Sequence, residues 1–200
     1  MPLALLADSI ATWLSTSGDM REVVSTILHS PEFLGPAHRW NKIRTPIEDS
    51  IAMVRAFGGT TDLNAPLTAI YDLEQPPFLS ITPDGYPEFG ADQLSTMRIL
   101  EMVKLARRFI DPFSDPDLDI MPLLANATID LGDAGQVVDT LLEQAYPGNA
   151  SAIDRQLAID FLLSTDTGVP QALDAAAPDY EARVTKLAMY LLVYPQGRKQ

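Results

Sequence analysis

Residues Asp92–Phe109, DQLSTMRILEMVKLARRF, carry the pattern that decides the fold. Ile99, Met102, Val103, Ala106, Phe109 and Ile110 recur at three- and four-residue steps, and Leu94, Met97 and Leu100 widen the stripe. That period is helical, and a stripe this broad predicts a helix near the centre of the molecule. Similar stripes lie on both sides. Leu3, Leu6, Ala7, Ile10, Trp13 and Leu14 predict a first helix from Pro2 to Trp13. Met20, Val23, Val24, Ile27 and Leu28 predict a second, after a break at Ser17-Gly18 and a cap at Asp19 closed by Glu22. Ser30-Pro31 starts one short turn, and Thr45-Pro46-Ile47-Glu48 starts a helix that runs to Phe57 and stops at Gly58-Gly59. Further helices are expected over Pro66–Leu73, Ala134–Ala145, Ala152–Leu163 and Pro178–Tyr194. In the last, Tyr180, Val184, Leu187, Ala188, Leu191 and Leu192 share one face.

No alternation of strand type extends beyond four residues, so the class is all-α: an irregular bundle of seven or eight helices. Two stretches interrupt it. Gln75–Gly90 holds Pro76, Pro77, Pro83 and Pro87 and cannot be helical. Its Phe78, Ile81, Tyr86 and Phe89 are costly to leave in water, which predicts a loop packed on the helices. Residues 111–122 read as an acidic linker. The expected organisation is one helical domain over 1–200, with a core at 1–110, that linker, and C-terminal helices at 123–200.

The chain is 46% hydrophobic and 20% charged, which is globular composition, and its net charge is −13. Residues 1–109 carry −4 and residues 110–200 carry −9; between Asp111 and Asp179 the only base is Arg155. A surface of that sign argues against nucleic acid and against anionic membranes. No apolar run reaches the ~18 residues of a membrane span. Cysteine is absent, which removes disulfides, thiolate metal sites and cysteine nucleophiles. The N-terminus has no basic segment before its apolar residues, so the chain as written reads as cytoplasmic.

The ordered segments together resemble a known family. Gly18-Asp19-Met20-Arg21 leads to Ile27-Leu28-His29-Ser30-Pro31-Glu32-Phe33, then to Lys42-Ile43-Arg44-Thr45-Pro46-Ile47-Glu48 and Val54-Arg55-Ala56. Gln75-Pro76-Pro77-Phe78 and Thr82-Pro83-Asp84-Gly85-Tyr86-Pro87 follow. This resembles the C-terminal region of the bacterial domain-of-unknown-function family numbered eighteen hundred, well over 1–110 and loosely in the last helix. The resemblance implies a helical fold, a longer parent protein and export of that parent, but no reaction. Glu74 stands where the family usually has Gly, and Phe89 is the nearest aromatic where it usually has Trp.

Three groups could carry function, each with a plainer reading. Gln75, Asp84 and Tyr86 place polar groups on a rigid loop and form a candidate ligand site, although Asp84-Gly85 also makes an ordinary turn. His38, Arg39, Trp40, Lys42 and Arg44 could bind an anion or a partner's carboxylates, or could simply be a solvated face. Asp115, Asp117 and Asp119 have the alternate spacing of a calcium loop, but Ile120 and Asn126 stand where that loop needs Gly and Glu. Arg55 reads as an internal ion-pair partner for Asp49 or Glu48, and His29 as a group favourable at a helix C-terminus. Two histidines, His29 and His38, are too few for zinc without carboxylate help. Gly-x-Ser-x-Gly and phosphate-loop motifs are missing, and no cofactor is indicated. The expected function is an interaction or structural module, part of a larger exported protein. Its partner would be another protein or the N-terminal part of the family pattern. The alternative is one wall of a hydrolase site.

Overall fold

The computed structural model describes residues 2–36, 42–58, 60–83, 85–86, 95–110, 120–165 and 167–194, with only the backbone at 109 and 110. Two compact units result: Met1–Asn41 with Gln200, and Lys42–Lys199. The described residues form ten helices and no strand, so the fold is all-α.

The first unit holds α1 (Leu3–Ser15), α2 (Met20–Leu28) and α3 (Pro31–Leu34). The chain turns between α1 and α2 at Ser17 and Gly18, both at positive φ (55° and 90°). Glycine takes that geometry without penalty. Asp19 caps α2 through the Arg21 amide at 2.9 Å, without the reciprocal bond that Glu22 would have supplied. Ser30 caps α3 through the Phe33 amide at 3.0 Å, with Pro31 in the first turn. The apolar stripes of α1 and α2 exist, but they are not a core. Leu5 is the one buried hydrophobic among the described residues of this unit, while Leu3, Leu14 and Met20 are 84%, 72% and 58% exposed.

The second unit contains α4 (Pro46–Ala56), α5 (Asn64–Asp72), α6 (Thr96–Ile110), α7 (Ile120–Asn126), α8 (Ala134–Ala145), α9 (Ala152–Leu162) and α10 (Tyr180–Val193). Helix α10 packs on α6, α7, α8 and α9, and α4 packs on α5, α6 and α8. All six residues of the α10 face read from sequence are buried. Val137, Val138 and Leu141 of α8 and Ala158 and Leu162 of α9 close the core around them. Each such Val or Leu contributes about 1.5–3 kcal/mol on burial. In α6 the expected stripe is narrower than its sequence. Met102, Leu105 and Ala106 are buried, but Met97, Ile99, Leu100 and Val103 are exposed, because neighbours cover only one side of the helix.

The predicted capping box of α4 is closed. The Glu48 amide donates to the Thr45 hydroxyl at 3.4 Å, and the Thr45 amide donates to Glu48 Oε2 at 2.8 Å. A second box, unforeseen, starts α9, where Ser151 and Asp154 exchange the same pair of bonds. Helix α7 also departs from expectation, since it begins inside the segment read as linker. Pro122 is tolerated because it lies in the first turn, where its missing N–H has no helical acceptor to lose.

After α9 the chain makes a tight turn. The Thr165 amide donates to the Val169 carbonyl at 2.9 Å, and the Gln171 amide to Leu163 at 2.7 Å. Arg183 of α10 holds this turn. Its Nη2 donates to Leu162 O at 2.6 Å and Gln171 O at 2.9 Å, its Nε to Leu162 O at 3.2 Å, and its Nη1 to Ala172 O at 2.9 Å.

Candidate functional site

The loop after α5 is set by its backbone. Glu74 lies at φ 58° and Phe78 at φ 63°, both in the left-handed region that favours glycine. The first of these gives a physical reason for a glycine at that position. Gln75 follows and is buried, with its amide donating to Ile70 O at 3.2 Å. Across the loop the Tyr86 hydroxyl donates to Pro76 O at 2.9 Å. Of the three predicted ligand residues, Tyr86 is thus bonded to the carbonyl of the residue that follows Gln75. The third, Asp84, lies outside the described residues.

Between these anchors the loop turns outward. Phe78 is 103% and Ile81 101% exposed, which corrects the expectation that they plug the core. The short turn bonded from the Leu79 amide to Pro76 O carries Phe78 on its outer side. Beside the loop's first residues is a charged cleft of about 670 Å³. There Asp72 and Glu74 stand opposite Arg98, Lys104 and Arg108 of α6, and Lys104 pairs with Glu101 at 2.5 Å.

Of the basic patch, His38, Arg39 and Trp40 lie outside the described residues. Lys42 pairs with Glu48 at 2.5 Å, so it neutralises the α4 cap. Arg44 is close enough to Tyr146 for its charge to act on that hydroxyl. The calcium candidates Asp115, Asp117 and Asp119 also lie outside the described residues. Among the residues described, no group of three His, Asp or Glu is placed to hold a metal. Arg55 is exposed, not internal, while Asp49 on the same helix is buried. His29 sits at the C-terminus of α2 as expected, with Nδ1 2.8 Å from Ser25 O.

One cluster was not legible in the sequence. The ends of α8, α9 and α10 bring together Tyr146, Asp154, Tyr190, Tyr194 and Phe161. Phe161 stacks on Tyr190 with centroids 4.8 Å apart, and Tyr190 and Tyr146 lie 5.4 and 6.4 Å from Tyr194. Asp154 is buried and accepts from the Tyr194 hydroxyl at 2.7 Å and the Ser151 amide at 2.9 Å. Burial acts to raise its pKa, but the bonds from Tyr194 and Ser151 outweigh that and hold the carboxyl below its ordinary value. The bond to Asp154 pushes the Tyr194 hydroxyl up to about 12. Desolvation pushes Tyr146 far above its ordinary value; its hydroxyl is buried and has no hydrogen-bond partner among the described residues. Carboxylate and tyrosine are 40 residues apart, and no local signal links them.

Residues 2–196 match the family described as protein of unknown function, DUF1800. The chain belongs to that family. The match spans nearly all of the chain, beyond the 1–110 over which the resemblance was read, and gives no support to a restriction to the family's C-terminal region. No curated protein and no solved structure matches it. Membership of DUF1800 brings no reaction, so function rests on the geometry above. Among the described residues no helix is long and apolar enough to cross a membrane.

Proposed function

We propose that this DUF1800 chain is a helical interaction module whose 75–86 loop inserts Phe78 and Ile81 into an apolar surface of a partner protein. The observation that carries this reading is the loop's construction. Both ends are tied down, by buried Gln75 and by the Tyr86–Pro76 bond, while two large apolar side chains are fully exposed between them. Holding such side chains in water costs hydrophobic free energy that a partner would recover. A rigid loop also loses little entropy on docking. The hydrolase alternative has less support, since Tyr86 spends its hydroxyl proton on a main-chain carbonyl inside the loop. The family resemblance favours an exported setting for the intact protein.

A photo-crosslinking residue at position 78, expressed in the native cells, should give one discrete protein adduct in the exported fraction. Ile81→Asp should abolish it. The reading fails if no discrete adduct forms, if the adduct is cytosolic and survives Ile81→Asp, or if the purified chain turns over an ester, glycoside or phosphate panel.

A further inference from the structure

The turn after α9 and the first turns of α10 enclose a cleft of about 880 Å³. That size falls within the roughly 300–1,000 Å³ of small-molecule sites. We propose that this cleft binds a small organic carboxylate with an apolar body, and that Arg183 receives the carboxylate.

The argument begins with the charge of Arg183. The side chain is nine-tenths buried, and its four hydrogen bonds all end on main-chain carbonyls of residues 162, 171 and 172. Carbonyl dipoles fix the guanidinium plane, but they do not neutralise its positive charge. A buried cation without a counter-charge is expensive, and breaking even is normally achieved with a carboxylate. Among the described residues no carboxylate is a hydrogen-bond or ion-pair partner of Arg183, although Asp179 lines the same cleft. A guanidinium has five N–H donors, and these four bonds leave one on Nη1. A purely structural clamp on the turn would need the carbonyl bonds, but not an opening onto solvent. Arg183 instead lines the cleft.

The remaining walls suit an amphipathic anion. Phe161 and Leu162 give an apolar side, and Phe161 is held flat by stacking on Tyr190. Thr165, Thr167 and Gln171 supply neutral hydrogen-bonding groups opposite. Among the described lining residues Asp179 and Lys186 carry opposite charges, and Arg183 adds one further positive charge. The acidity of residues 110–200 opposes anions at long range, and salt near 0.15 M confines that effect to about 8 Å.

Hexanoate is a suitable probe, followed by calorimetry and by amide NMR shifts of residues 163–172 at that salt. Saturable binding is expected, with hexan-1-ol weaker by at least about tenfold, since a charge-assisted bond contributes about 1.5–3 kcal/mol. Ala182 is exposed in the cleft lining, and Ala182→Trp fills the space without touching the Arg183 bonds. This variant should keep its melting temperature and lose about tenfold in hexanoate affinity. Absent binding, equal binding of the alcohol, or indifference to Ala182→Trp would each overturn the proposal.

Discussion

Helix α10 and the α1–α2 hairpin have the same kind of sequence and opposite fates. Both show apolar residues at helical spacing. In α10 all six such positions are buried, whereas in α1 and α2 none of the eleven is. The difference lies in what surrounds them. Helix α10 is packed by four other helices, while α1 packs on α2. Periodicity shows that an apolar face exists; burial requires something to cover it.

The largest test of this contrast is truncation. Leu187→Ala, at a fully buried position, should destabilise the chain by about 2–5 kcal/mol in urea unfolding. Leu3→Ala and Leu14→Ala should change stability by less than about 0.5 kcal/mol. If the exposed pair cost as much as Leu187, the contrast would fail.

A smaller effect is expected at the junction of α9 and α10. Asp154→Ala removes the acceptor of Tyr194 and the closing bond of the α9 cap, at a cost of about 1–3 kcal/mol. Its pH dependence has a defined sign. The folded-state pKa of Asp154 is depressed, so its contribution is full above the unfolded value of ~3.9 and is lost as pH falls through the folded value. Tyr194 works in the opposite direction. Its contribution is full below an unfolded value of ~10 and is lost as pH rises through about 12. Tyr194→Phe should therefore flatten stability at both the acid and the alkaline ends, which a pH series of melting curves would show. Unchanged limbs would mean that the pair is not coupled to folding.

Glu74→Gly should act in the stabilising direction, by about 1 kcal/mol, because it relieves a left-handed backbone on a side chain. A loss of stability would show that Glu74 earns its place through the charged cleft beside it. The smallest effect is expected from Phe78→Asp with Ile81→Asp, within about 0.5 kcal/mol, since neither side chain packs on anything. A drop of several kcal/mol would restore the packed-loop reading.

What the sequence made legible was local. The bounds of α8, Ala134–Ala145, agree with the reading at both ends, and the Thr45–Glu48 box closes as its spacing requires. Both depend on residues within one or a few turns of each other. The less legible features depend on distance or on backbone geometry. Asp154 meets Tyr194 across 40 residues, and Arg183 reaches carbonyls, which every residue has and no composition reveals. Phe78 and Ile81 depart from expectation because hydrophobicity creates a demand for cover without supplying it. At the candidate loop, the Tyr86–Pro76 bond and the outward tip at Phe78 and Ile81 follow from backbone geometry that residue spacing does not announce.

The aromatic cluster at the ends of α8–α10 also has an optical consequence. All six tyrosines of the chain fall within 42–199, and four of them, Tyr146, Tyr180, Tyr190 and Tyr194, lie at or near α8 and α10. Both tryptophans, Trp13 and Trp40, fall within 1–41. Intrinsic fluorescence therefore divides by unit without any label. Excitation selective for tryptophan reports on residues 1–41, and the near-ultraviolet dichroism of tyrosine reports on residues 42–199.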